Sequence, residues 1–222
     1  MLAAICLLVP ACATGPAVAT GSDYAAEWQA AMARFAAANV RLHEGLLALP
    51  ASDLAALVDA EDRLGDDVLD ELRATTDEGV RHAEAAVDLR PDGVEGHLYL
   101  ALNLAIHGLT RSRTAALFEG LPRRIRAACD RAVALDPTFH AGGAYRLKGK
   151  FLMRAPWPVR DYAGAREALE RAGAIAATNE NFLFLGDLDY LEGRRDEAIA
   201  AWRIAAADSR PPETDVREAV RE

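Results

Sequence analysis

Strand signals are scarce in this 222-residue sequence. β-Branched residues are thin beside alanine and leucine, and no Asn-Gly or Asp-Gly pair sits between alternating apolar runs, so β-hairpins have no support. The apolar run of residues 2–9 is too short to span a bilayer as a helix. Cysteine is represented only by Cys6, Cys12 and Cys129.

Catalytic signatures are equally absent. His43, His82, His97, His107 and His140 are dispersed, with no HExxH and no Cys/His cluster at metal spacing. There is no GxSxG elbow, and Gly142-Gly143, followed by Ala144 and Tyr145, makes a poor phosphate nest. The acids Asp187 and Asp189 are read as solvated on a surface helix. The sequence therefore assigns no catalytic residue, no metal ligand and no cofactor, and reads as a non-enzyme. A net charge of -9 argues against nucleic-acid binding, which needs a basic face to displace counterions.

What remains is 51% apolar and helical in pattern, enough to bury a core in one compact domain or one repeat array. Across residues 23–49, Trp28, Met32, Phe35, Leu42, Leu46 and Leu49 form one stripe, with Ser22 and Asp23 as caps and Pro50 as terminator. A short helix is expected over 53–63, ended by Gly65. The next helix carries Leu69, Leu72, Val80, Ala83 and Val87, and Thr75 with Glu78 reads as a capping box that would divide it. It closes at Arg90-Pro91. Asp136-Pro137 ends a later helix at Leu135, and a new one starts near Gly142-Gly143 and stops at Pro156-Trp157-Pro158.

Internal repetition organises these pieces. AEAAVDLRP, ending at Pro91, and CDRAVALDP, ending at Pro137, align without gaps, and RAGAIAATN around Ala172 is a third copy. From Asn179 onward, Phe182, Leu185, Gly186, Gly193, Ala198, Trp202 and Ala205 take the positions of a tetratricopeptide repeat. Gly186 and Ala198 are small where two helices would cross. The expected fold is all-α, a tetratricopeptide-like array of stacked antiparallel helical hairpins with extra N-terminal helices. Residues 22–212 form the helical domain, and 213–222 a capping helix or tail with Val216, Ala219 and Val220 on one side.

The first residues carry a different signal. Residues 2–9 suit the apolar region of a secretory signal, and Val9-Pro10-Ala11-Cys12 resembles a bacterial lipobox, with Cys12 as the lipidated residue. Residues 1–21 would then be signal and flexible tether, placing the chain on a lipid anchor facing the periplasm. Only Cys129 would remain as a thiol, read as a small packing residue on a helix.

LFEGLP at 117–122, RAVALDPTFHAGGAYRLKGKFLMRAPWP, and NENFLFLGDLDYLEGRRDEA resemble irregular tetratricopeptide lipoproteins related to the T component of TRAP transporters, over residues 79–206. The resemblance implies a periplasmic protein that works with the substrate-binding partner of a solute transporter, and it marks Tyr145 and Arg146 as signature residues.

Binding is expected on the first helix of each hairpin, which lines the concave side of such arrays. In the second pair this offers Leu98, Leu102, Ala105 and Ile106, in the third Ala144, Phe151 and Leu152, and in the fourth Leu183, Asp187 and Tyr190. The helix LYLALNLAIHGL is apolar nearly all round, either covered by neighbours or lining a channel. Tyr99, Asn103 and His107 lie four apart on it, placed to serve a pocket or to satisfy backbone carbonyls. Arg146 is expected to pair with Asp161. Arginines 111, 113, 123, 124, 126 and 131 make the middle basic, either as a solvated face or as a docking face for an acidic partner or lipid headgroups. Two functions compete: a scaffold for a periplasmic or membrane protein partner, and a carrier of a small hydrophobic ligand in an apolar channel or concave pocket. A cytosolic adaptor is a third reading.

Overall fold

The computed structural model describes residues 21–49 and 63–207. Cys12 and the signal segment, the helix expected over 53–63 and the closing helix over 213–222 lie outside them, all but Gly21 and Arg63.

The described residues form helices and no strand. They are α1 (Gly21–Leu47), α2 (Asp66–Leu89), α3 (Val94–Leu109), α4 (Arg113–Phe118), α5 (Leu121–Leu135), α6 (Phe139–Arg154), α7 (Tyr162–Ile175), α8 (Asn179–Leu191) and α9 (Arg195–Ala207). Four hairpins follow: α1 with α2, α3 with α5, α6 with α7, and α8 with α9. Each second helix also packs on the first helix of the next hairpin, and the first helices touch in sequence, α1 on α3, α3 on α6, α6 on α8. This is the stacking that a helical pair with an unburied face requires. The short α4 is the insertion that lengthens the second hairpin.

Local chemistry sets the boundaries. α2 runs unbroken, burying Val68, Leu72, Thr76, Gly79, Ala83 and Ala86 at spacings of three and four. The expected break at Thr75 does not occur: its hydroxyl donates back to the Glu71 carbonyl at 2.9 Å, a bond a helix interior accommodates. Gly120, in left-handed geometry at φ 67°, and Pro122 open α5, and Asp136 before Pro137 closes it. The Asp161 carboxylate accepts from the Gly164 amide at 2.9 Å to cap α7. Thr178 caps α8 through the Asn181 amide at 3.3 Å.

Small residues fix where paired helices cross. A Cβ on Gly186 would lie 2.5 Å from Trp202 Cδ1 and 3.1 Å from the Ala198 carbonyl, the crossing read from the sequence. Gly149 does the same in the third hairpin, where a Cβ would meet Leu169 Cγ at 2.6 Å and the Ala165 carbonyl at 3.1 Å. The two glycines are structural equivalents. On that register Arg146, Lys150 and Met153 of α6 match Leu183, Asp187 and Tyr190 of α8. Of the expected Ala144, Phe151 and Leu152, Ala144 and Leu152 are buried in the core, as Met153 is, and Phe151 packs between two clusters.

Candidate functional site

The approach to α6 joins the second hairpin to the third. Asp136 Oδ1 accepts the Thr138 amide at 2.8 Å and hydroxyl at 2.7 Å, and these bonds hold its carboxyl below the usual carboxylate range. The chain then passes through three successive left-handed residues, His140 (φ 48°), Ala141 (φ 53°) and Gly142 (φ 79°). Two of them carry a Cβ, a geometry that costs roughly 1–2 kcal/mol per residue. Regular helix starts only after this turn, as the Gly142-Gly143 pair suggests.

Arg146 reaches back to hold it. Nη1 donates to the Ala141 carbonyl at 2.6 Å and Nη2 to the His140 carbonyl at 3.0 Å. Its Nε lies 3.4 Å from Glu180 Oε2 of α8. The expected pair with Asp161 does not form, because Asp161 is committed to the cap of α7. Arg146 thus ties the left-handed turn to the fourth hairpin.

His140 and its neighbours extend the join to the first hairpin. His140 packs edge-on against Phe139 at 4.4 Å and against Tyr99 at 6.1 Å between ring centres. Tyr99 Oη and His140 Nε2 are 3.3 Å apart, and Tyr99 stacks on Trp28 of α1 at 6.1 Å with planes 9° apart. Aromatic contacts therefore run from α1 through α3 to α6.

The polar face of α3 is locked into the array. Asn103 is fully buried and donates to the Ala31 carbonyl at 3.1 Å and the Tyr99 carbonyl at 2.8 Å. Its Oδ1 has no hydrogen-bond partner and lies against Gly79, where an added Cβ would come within 2.0 Å. His107 Nδ1 is 3.3 Å from both Thr76 Oγ1 and Asp77 Oδ1, and burial pushes its pKa below the ordinary histidine value. These residues satisfy packed backbone and neighbours rather than line a pocket.

The acids of α8 behave differently from expectation as well. Asp189 is buried, accepting from Arg166 Nη2 at 2.6 Å and from Arg194 at 3.1 and 2.8 Å through Nε and Nη2. Glu192 joins the same two arginines. Asp187 accepts the Trp202 indole at 2.9 Å. The network clamps the third hairpin to the fourth.

The residues singled out for binding do not converge on one cavity. Leu98, 2% exposed, is buried with Ala132 and Ala144, and Leu102 packs at the margin of that cluster. Phe151 fills space between the cores of the second and third hairpins. Leu183 is 44% exposed, and Tyr190 rests on Trp202 at 5.8 Å. Tyr145 faces the other way from Arg146, into an open cleft of about 390 Å³ between α5, α6 and α7. There Arg171 sits 5.9 Å above its ring, while Lys148 pairs with Asp130 at 2.6 Å and Arg171 with Glu167 at 2.8 Å. That cleft is lined about equally by polar and apolar atoms, and its three basic and three acidic side chains balance.

Among the described residues no group of three His, Cys, Asp or Glu side chains could hold a metal ion, and no helix is long and apolar enough to cross a membrane. Sequence reasoning passed over Gly149, Lys150 and the stacking of Trp28 on Tyr99. It also passed over two surface aromatics, Phe118 and Trp157, whose exposure no spacing rule reveals.

No protein-family model matches the chain, and no curated protein sequence matches it. Among solved structures it is similar to a thermophilic TPR protein of Thermus thermophilus, with a TM-score of 0.52 and 18% sequence identity over 83% of this chain and all of that one. The likeness shows the fold: an all-α tetratricopeptide-like array.

Proposed function

We propose that this chain is a non-enzymatic interaction scaffold, lipid-anchored through Cys12 to the bacterial envelope and facing the periplasm, where it assists the solute-binding partner of a transporter. One observation carries the scaffold reading: the rows of first-helix residues are either packed away, as Leu98 is, or left on an open surface, as Leu183 is. A surface of that kind recognises a partner by shape and side-chain contact, which is how helical arrays bind. A carrier of a hydrophobic solute would require an enclosed apolar cavity. The positions expected to form one are instead dispersed between separate core clusters, which favours the scaffold. The lipobox-like Cys12 and the resemblance at Tyr145 and Arg146 support the anchor and the transporter link.

The test is a photo-crosslinking residue placed at Leu183 or at Lys150, with the exposed Arg131 of α5 as control, in cells that express the full chain. A crosslink to a discrete envelope protein from the inner positions and not from Arg131 is expected. Crosslinks to no protein, with a co-purifying apolar small molecule instead, would move the assignment to the carrier. Intact mass and membrane fractionation of wild type against Cys12→Ala check the anchor: the acyl mass and membrane association should vanish together.

A further inference from the structure

We propose that one edge of the array, built from the connections inside the second and third hairpins, docks on an anionic lipid bilayer, a contact separate from any acyl anchor and from the inner face. The two connections are 110–120, which includes α4, and 155–161. Each links the first helix of a hairpin to its second, and in stacked hairpins such links fall along the same edge. Arg73, near the start of α2, donates to the Thr110 carbonyl at 2.8 Å, and Ala116 of α4 packs on the cluster that also receives Phe151 near the end of α6.

Both links hold a large aromatic out into solvent. Phe118 is 89% exposed and Trp157 85%, with Leu117 beside Phe118 also exposed. The links themselves are braced. Ser112 caps α4, Arg111 pairs with Glu119 at 2.8 Å, Arg160 Nε donates to the Ala155 carbonyl at 3.0 Å, and the Asp161 amide donates to the Leu152 carbonyl at 3.0 Å. The aromatics therefore stand on ordered loops.

The charge around them is the reverse of the chain's. Residues 109–126 carry Arg111, Arg113, Arg123, Arg124 and Arg126 against the single acid Glu119, with Arg124 paired to Glu84 at 2.5 Å, and residues 154–161 add Arg154 and Arg160 against Asp161, which caps α7. The whole chain has 25 basic and 34 acidic residues. Arg113 and Arg123 are exposed five residues along the chain on either side of Phe118, and Arg160 is exposed three residues after Trp157. Exposed Asp66 and Asp67 bound the basic footprint at the first hairpin's end of the edge, and at the fourth's Glu192 is paired with Arg166 and Arg194.

Shape selects the lipid surface over an acidic protein. Phe118 and Trp157 stand almost wholly in solvent, with no protein walls packed about their rings, whereas a peptide or helix needs a groove to bury its anchors. A bilayer deforms around projecting rings, which settle at the boundary between headgroups and acyl chains while guanidinium groups meet phosphate.

The experiment is co-sedimentation of the full chain carrying Cys12→Ala, which has no acyl anchor, with vesicles of phosphatidylcholine alone or mixed with phosphatidylglycerol. Binding to the mixed vesicles, weakened by salt, is expected, with little on phosphatidylcholine. The pair Phe118→Ser and Trp157→Ser should weaken that binding by about tenfold and leave the thermal midpoint unchanged, since neither ring is packed. Brominated lipid should quench tryptophan emission in the parent and lose most of that effect in Trp157→Phe. Equal binding to both vesicles, or binding by the double variant equal to its parent, would overturn the proposal. A crosslinker at Phe118 that captures a protein in place of lipid would overturn it too.

Discussion

Arg146 and Glu180 meet at 3.4 Å across the third and fourth hairpins, but the stronger commitments of Arg146 are to its own chain, the carbonyls of His140 and Ala141. The arginine is mostly buried and the glutamate half exposed. Removing each partner should therefore have unequal effects. Arg146→Met releases a left-handed turn that contains two side-chain-bearing residues, and should destabilise by about 2–3 kcal/mol. Glu180→Gln removes only a screened charge and should cost less than about 1 kcal/mol. Urea midpoints of the two variants give the comparison, and equal losses would assign the pinning to the ion pair.

The crossing glycines make a second pair of opposites with a third. Gly149→Ala and Gly186→Ala drive a Cβ into Leu169 and Trp202, and each should lower stability by about 1–3 kcal/mol. Gly186→Leu should do so at least as strongly. Gly173, near the end of α7, has open space where its Cβ would be, and Gly173→Ala should raise stability by roughly 0.5–1 kcal/mol through helix propensity. Thermal melts of the set test the register, which fails if Gly149→Ala melts with the wild type.

His107 introduces a pH dependence. Burial lowers its pKa, while Asp77, Glu119, Arg111 and Arg124 act on it with opposing signs and Thr76 lies beside the ring. The folded state thus binds a proton less readily than the unfolded chain. Its contribution to stability is present above the unfolded value of about 6.5 and is lost as pH falls through the lower folded value. Urea unfolding between neutral and mildly acid pH should show this loss in the wild type. The slope should shrink in His107→Gln, and an unchanged slope would assign the acid sensitivity elsewhere.

Cys129 should be chemically silent in the native protein. Its thiol is buried among Ala101, Leu104, Ile125 and Ala128, and burial pushes its pKa up to about 12. Peptide mapping after alkylation should find Cys129 unmodified in buffer and modified after unfolding. Rapid native labelling would show that the second hairpin opens.

The hairpin plan was legible because its punctuation is covalent: Pro91 and Pro137 end helices wherever they stand, and Gly186 with Ala198 keeps the regular interval. Gly149 escaped because the longer connection through Pro156 to Arg160 stretches its interval to Ala165 from the twelve residues of Gly186 and Ala198 to sixteen. Asp189 was read as solvated because one partner, Arg166, arrives from the preceding hairpin 23 residues away, and the other, Arg194, lies past the end of α8, where helical spacing no longer applies. Arg146 was found through a motif, yet its partners are the two carbonyls of a strained turn, which no side-chain pattern encodes. The tips Phe118 and Trp157 look in sequence like any other apolar residue near a helix end.

Asn103 and Gly79 leave a mark on how this protein can change over generations. With Oδ1 of one pressed against the Cα of the other, any side chain at 79 evicts the amide that fastens α3 to α1. A smaller residue at 103 would have to come first for a side chain at 79 to fit without moving that amide. The two positions should drift as a single unit among descendants of this chain, although 24 residues and a turn separate them.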